Sequence, residues 1–118
     1  PTYFEAHNKL GVTFIDLNQY EDAIEHLEWA IAYKYDFAEA HNNLGVANRK
    51  LSQIDNAAKN FKKAIDINPS YTLAHLNLGI TLADLGQKDG AVECFEQVLS
   101  IEPDNSLAYE KLKELSSD

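Results

Sequence analysis

The sequence of 118 residues has little of several things that particular classes of protein require. Its one cysteine, Cys94, excludes an intrachain disulfide and a cysteine-based metal cage. Five glycines and three prolines are too few for the many tight turns of a small all-β sandwich. No run of 18 apolar residues occurs and no secretory signal is visible, so we expect no membrane insertion, with the cytoplasm as the default compartment. These features favour a single helical domain over residues 1–118.

Basic residues are scarce as well, with 10 lysines and arginines against 19 acidic residues and a net charge of −9. Because nucleic-acid binding depends on cations that contact phosphates, we expect no nucleic-acid partner. The sequence contains no phosphate-binding loop, calcium loop or nucleophile elbow, and its carboxylates are scattered. We therefore expect no cofactor and no enzymatic activity.

What the sequence does contain is a repeat of 34 residues. The pair Leu-Gly recurs at this interval, at residues 10–11, 44–45 and 78–79. A histidine stands three residues before each pair, as His7, His41 and His75. This register divides the chain into repeats 4–37, 38–71 and 72–105, and residues 106–118 begin a fourth repeat without completing it.

The apolar residues of each repeat are spaced by three and four, which predicts two amphipathic helices per repeat. The predicted breaks between the two helices are Asn18-Gln19, Ser52-Gln53 and Gly86-Gln87. Asn and Gly tolerate the left-handed conformation that ends a helix. Each hairpin has more apolar surface than it can bury alone, so neighbouring repeats must stack. The segment 106–118 is expected to cap the third repeat with Leu107, Ala108, Tyr109, Leu112 and Leu115.

The pattern aromatic-x-x-Leu-Gly-x-x-aromatic, followed by Ala-x-x-x-Phe, Ala and Pro, resembles the tetratricopeptide repeat family over nearly the whole chain. The resemblance implies an all-α fold: a right-handed α-solenoid of three helix-turn-helix repeats plus a C-terminal capping helix. It also implies a non-catalytic protein–protein interaction module that binds a peptide, or a segment of another protein, in its concave groove. The alternative is a structural role, through self-association or through stacking with other repeats of a longer chain.

The first helices of the repeats are expected to line this groove. The stretch 40–45 resembles the asparagine-ladder repeats of O-linked N-acetylglucosamine transferase, which implies that Asn43 and Asn77 hold the backbone of a peptide. Arg49 and Lys50 would favour a ligand with acidic side chains, and Asn43 and Asn77 should face solvent in the free protein. The predicted groove residues are Asn8, Lys9, Val12, Asn42, Asn43, Val46, Arg49, Lys50, Leu76, Asn77 and Ile80.

The other known groove of the family, a clamp for C-terminal carboxylates, is not predicted. It needs Lys at position 5 and Asn at position 9 of the first repeat, Asn at position 6 of the second, and Lys and Arg at positions 2 and 6 of the third. The residues at these positions are Asn8, Val12, Asn43, Leu73 and Asn77. One of the five matches the clamp.

Three features lie outside the groove. The three repeat histidines are not expected to bind one metal, because stacked repeats separate equivalent positions by about 8–10 Å. Trp29 occupies a position where the other repeats have Lys63 and Gln97, so we expect it to be exposed on the outer surface as a contact residue. The first helix is expected to be partly uncovered, so that the N-terminal repeat could self-associate. The residues of this patch are Tyr3, Phe4 and Leu10.

Overall fold

The computed structural model describes residues 3–117 and has seven α-helices and no strand in that range. The helices are α1 (Tyr3–Asp16), α2 (Tyr20–Tyr33), α3 (Ala38–Lys50), α4 (Ile54–Ile67), α5 (Thr72–Asp84), α6 (Lys88–Ile101) and α7 (Ser106–Ser116). Helices α1 to α6 form three antiparallel hairpins in chain order, and α7 packs against α6. The prediction of three helical hairpins followed by one further helix is confirmed.

The turns within the hairpins have one common conformation. Asn18, Ser52 and Gly86 have φ angles of 61°, 62° and 77°, in the left-handed region. The amide of the next residue, a glutamine in each turn, donates to a carbonyl five residues earlier at 2.8 Å. This bond pairs a carbonyl that the end of the helix would otherwise leave without a partner. The predicted breaks are confirmed, and Ser52 adopts the same conformation although it has a Cβ atom.

The two helices of a hairpin approach closely at the glycine of the Leu-Gly pair. A Cβ atom at Gly45 would lie 2.6 Å from the nearest ring carbon of Phe61, which is fully buried on α4. Gly79 faces Phe95 in the same way, at 2.7 Å. Only a residue without a side chain permits this contact, which explains why glycine recurs every 34 residues.

The repeats stack because the second helix of each hairpin covers the first helix of the next. On α2, Ala23 and Leu27 join Leu44 and Ala47 of α3 in one buried cluster. A second cluster runs from α4 to the buried Ala108 of α7. Its other buried members are Ala57, Ala58, Phe61, Leu76, Leu78, Leu82, Ala91, Cys94, Phe95 and Val98.

Helix α7 covers the third repeat with part of the expected surface. Ala108 is fully buried, and Leu112 and Leu115 pack against the second cluster. Leu107 and Tyr109 are exposed, at 39% and 56%, so the expectation that they cover the core is wrong. The Tyr109 hydroxyl instead donates to the carbonyl of Pro103 at 3.1 Å, at the edge of the helix.

Candidate functional site

The first helices lie on the inner side of a curved array. Helix α3 contacts both α1 and α5. The second helices are separated on the other side by open clefts, of about 680 Å³ between α2 and α4 and about 290 Å³ between α4 and α6. Because the first helices are closer together than the second helices, α1, α3 and α5 line the concave side. We call their exposed surface the concave surface.

The asparagines of the concave surface are bonded across the repeat boundaries. The side-chain Nδ2 of Asn43 donates to Oδ1 of Asn8 at 3.0 Å. One repeat later, Nδ2 of Asn77 donates to Oδ1 of Asn42 at 3.1 Å. Each bond joins position 5 of one repeat to position 6 of the next, so together they form a ladder between neighbouring first helices. The ladder ends after the third repeat, where Leu76 has no polar atom to offer.

These bonds change the role expected for Asn43 and Asn77. Both side chains are half-buried rather than solvent-facing, because each is held by the asparagine of the preceding repeat. Each still has one N–H and its carbonyl oxygen without a partner among the described residues, because an amide has two donors and one acceptor oxygen. The two amides can therefore bind a ligand while they hold the repeats together.

Arg49 is also bonded between repeats. Its guanidinium forms an ion pair with the Asp84 carboxylate and donates to the Thr81 hydroxyl at 3.2 Å. The Thr81 hydroxyl in turn donates to the backbone carbonyl of Asn77 at 2.7 Å. The Asp84 carboxylate neutralises Arg49. Of the two positive charges expected at this point of the concave surface, only that of the exposed Lys50 therefore remains unpaired by an acidic side chain.

Three of the predicted groove residues are buried. Asn8, Asn42 and Leu76 are 7%, 1% and 8% exposed, because position 5 of each repeat points toward the neighbouring first helix. They lie beneath the concave surface, and less than a tenth of each residue is accessible to a ligand. The predicted residues that remain accessible, fully or in part, are Lys9, Val12, Asn43, Val46, Arg49, Lys50, Asn77 and Ile80.

A second set of bonds between repeats involves the repeat histidines. Nε2–H of His41 donates to the carbonyl of Tyr35 at 2.7 Å, and Nε2–H of His75 donates to that of Pro69 at 2.8 Å. Since a carbonyl only accepts, the proton on each Nε2 is assigned. Tyr109 makes the equivalent bond to Pro103 in the fourth repeat. A polar residue thus recurs at position 4 because it pairs the carbonyl at position 32 of the repeat before it.

Burial changes the ionisation of three groups near the repeat boundaries. It lowers the pKa of His41, and the Lys63 charge acts in the same direction, while the bond to Tyr35 opposes the shift. Burial together with the Glu39 carboxylate raises the pKa of Tyr71. Burial raises the pKa of the Cys94 thiol to about 11, so the thiol is in its neutral form near pH 7.

The environment of His7 differs from that of the other two histidines. Its Nδ1 lies 3.1 Å from Nδ1 of His26, and its ring contacts those of Trp29 and Tyr33. Within residues 3–117 no group of three His, Cys, Asp or Glu side chains is arranged to hold a metal ion.

Trp29 is 51% exposed, as its position in the repeat predicts. In the same range no helix is long and apolar enough to span a membrane.

Comparison with known proteins identifies the class of repeat. Two tetratricopeptide repeat family models match the sequence, one over residues 8–72 and the other over residues 49–115. Each covers more than half of the chain. The chain belongs to the tetratricopeptide repeat family. A search of curated protein sequences gave no significant match.

Solved structures with the same fold include interaction domains. The second tetratricopeptide domain of human RPAP3, solved with the HSP70 peptide SGPTIEEVD, has a TM-score of 0.88 and is 30% identical, over 93% of this chain and 92% of that chain. MamA has a TM-score of 0.93 and is 32% identical, over 99% of this chain and 68% of that chain. The first domain of Spaghetti (RPAP3), solved with the HSP90 peptide SRMEEVD, has a TM-score of 0.94 at 23% identity, over 98% and 91%. These neighbours support a role in binding proteins or peptides.

Proposed function

We propose that the chain is a non-catalytic module that holds an extended segment of a partner protein on its concave surface. The observation that carries this proposal is the arrangement of α1, α3 and α5. Val12, Val46 and Ile80 form an accessible apolar row, and the amides of Asn43 and Asn77 stand at equivalent places one repeat apart. An extended peptide needs both features, because its side chains alternate with backbone groups that must be paired.

The ligand that fits differs in chemistry from a carboxylate-ended chaperone peptide. The positions that would hold a terminal carboxylate have Leu73 and Asn77 in the third repeat, and neither side chain has a positive charge. Arg49 is already paired with Asp84. The concave surface therefore favours an internal segment bound through its backbone, in agreement with the resemblance to asparagine-ladder repeats. Such binding is tolerant of sequence and modest in affinity.

The test is a selection of random peptides against the chain, followed by affinity measurements on two concave-surface variants. Val12→Glu places a charge on the apolar row, and Lys50→Glu reverses an exposed charge beside it. Lys59→Glu is the matched control, because it makes the same charge change on an exposed position of α4, a second helix. We expect Val12→Glu to weaken selected peptides about tenfold or more, and Lys50→Glu to weaken acidic peptides in particular.

The control separates a local effect from a change in net charge. If Lys59→Glu weakens binding as much as Lys50→Glu, the effect is one of overall charge and the peptide is not on the concave surface. If Val12→Glu leaves every selected peptide bound with unchanged affinity, the binding surface lies elsewhere.

A second candidate function is a structural role, through self-association or through stacking with other repeats of a longer chain, and a separate observation favours it. Leu10, Leu17 and Trp29 of the first repeat are exposed on the side of α1 and α2 that faces away from the second repeat. Exposed large apolar side chains on one side of a repeat are candidates for contact with another protein surface. Sedimentation of the chain over a range of concentrations tests self-association, and a chain that stays monomeric at every concentration would contradict it.

A further inference from the structure

The ring of His41, at the boundary between the first and second repeats, has one nitrogen that the fold leaves unpaired. His41 is 4% exposed, and its Nδ1 is buried without a hydrogen-bond partner. The other nitrogen, Nε2, carries the proton that is donated to the carbonyl of Tyr35 at 2.7 Å. Nδ1 therefore holds a lone pair, and it is the atom that takes up a proton when the ring becomes charged.

The equivalent histidine of the third repeat provides a comparison within the same chain. His75 is 8% exposed and donates through Nε2 to the carbonyl of Pro69 at 2.8 Å, as His41 does to that of Tyr35. Among the described residues, the buried side-chain nitrogens without a partner include Nδ1 of His41 but not Nδ1 of His75. The two boundaries thus share one bond and differ at the second nitrogen of the ring.

The charged and titratable groups around His41 come from three elements that border the cleft between α2 and α4. Helix α4 contributes Lys63, whose Nζ lies 4.5 Å from the centroid of the Tyr35 ring. Tyr35 itself precedes α3, and its ring meets that of His41 edge-on with the centroids 5.4 Å apart. Helix α2 contributes Glu28, the one carboxylate among the described residues that line this cleft. Because Glu28 is exposed, water and salt screen its charge.

A protonated His41 is therefore poorly accommodated in its present place. It would bury an N–H at Nδ1 that has no acceptor, close to the positive charge of Lys63. Burial lowers the pKa of His41, and Lys63 acts in the same direction, which agrees with this geometry. The charged ring gains a partner for Nδ1 by turning into the adjoining cleft, which has a volume of about 680 Å³ and is open to water. That movement breaks the bond between Nε2 and the carbonyl of Tyr35.

We propose that protonation of His41 loosens the first repeat from the second, which makes this boundary of the stack sensitive to acid. The broken bond joins α3 to the end of the first repeat, and the bond between Asn43 and Asn8 crosses the same boundary. The concave surface would thus lose the alignment of α1 with α3. The inference concerns the stack itself and does not depend on what the concave surface binds.

The direction of the pH dependence follows from which state binds the proton. An unfolded chain protonates a histidine near its ordinary pKa of about 6.5, whereas the folded chain resists the proton at His41 to a lower pH. The stability that the neutral ring contributes is therefore complete above about pH 6.5. It is lost as the pH falls from that value through the lowered pKa of the folded state.

The test compares thermal unfolding of the whole chain and of three variants at about pH 8 and about pH 5.5. His41→Gln keeps a side-chain donor and does not titrate, and His41→Tyr introduces the residue that Tyr109 provides at this position of the fourth repeat. His75→Gln is the matched control. On acidification, the parent and His75→Gln should lose several degrees more of Tm than the two His41 variants. The contact between His7 and His26 is common to all four proteins, so its response to pH cancels in the comparison.

Hydrogen exchange followed by mass spectrometry locates the effect along the chain. After correction for the intrinsic pH dependence of exchange, acidification of the parent should increase exchange in α1 and α2 more than in α5 and α6. This excess should disappear in His41→Gln. The inference is overturned if the His41 variants lose as much Tm as the parent, if His75→Gln removes the acid sensitivity equally, or if exchange increases by the same factor in all helices.

Discussion

Replacing Asn77 by alanine tests whether the asparagine ladder stabilises the stack. The substitution removes the donor that pairs Oδ1 of Asn42, a side chain that is only 1% exposed. An unpaired buried polar group costs about 1–3 kcal/mol, so the free energy of unfolding should fall by that amount. For a domain of this size each kcal/mol lowers Tm by about 4 °C, so thermal unfolding followed by circular dichroism should show a decrease of about 4–12 °C.

The matched control removes both partners. The third repeat has Leu76 at the position that Asn42 occupies in the second repeat. The fold therefore accepts a leucine at this position, and Asn42→Leu introduces the same side chain. In the double variant Asn42→Leu, Asn77→Ala the buried amide of Asn42 is removed together with its partner, so most of the lost stability should return. If the single variant Asn77→Ala melts within about 1 °C of the parent, the bond contributes nothing and the reasoning is refuted.

Three other changes have calculable outcomes. Gly45→Ala should lower the free energy of unfolding by about 1–2 kcal/mol, because the new Cβ atom overlaps the Phe61 ring. The higher helix propensity of alanine offsets only part of this cost. A denaturant titration that shows unchanged stability would contradict this prediction. Deleting residues 105–118 should cost about 3–5 kcal/mol, since the surface beneath α7 becomes exposed; the same titration measures it. The Cys94 thiol should react with iodoacetamide at pH 7.5 roughly a hundredfold more slowly than an ordinary thiol, because its pKa of about 11 lies two units above the usual value. Its reactivity should rise as the pH approaches 11, and rapid labelling at pH 7.5 would contradict the burial.

Local features of the sequence predicted the architecture correctly. The Leu-Gly pairs established the 34-residue register, and the three-and-four spacing of apolar residues predicted the helices that the structure contains. Asn18 and Gly86 marked helix ends because their backbone conformation is a property of the residue itself. Each of these inferences depends on residues that are close together in the chain, where periodicity and backbone preference act directly.

The surfaces were predicted less well, because they depend on contacts between repeats. Asn43 was expected to face solvent, yet it bonds to Asn8, 35 residues earlier. Arg49 was expected to meet a ligand, yet it pairs with Asp84, 35 residues later. The same separation links Asn42 to Asn77. A search for polar residues separated by one repeat plus one residue would have found all three pairs.

The repeat pattern alone was therefore sufficient to establish the family, the helices and the order in which they stack, since these follow from which residues must be buried. It did not distinguish the three histidines that share one repeat position. Packing in three dimensions does: His41 donates to the carbonyl of Tyr35, whereas the equivalent His7 lies against the ring of His26. The physical reason is that burial and pairing depend on what lies across the boundary, and that neighbour differs between the ends and the middle of the array.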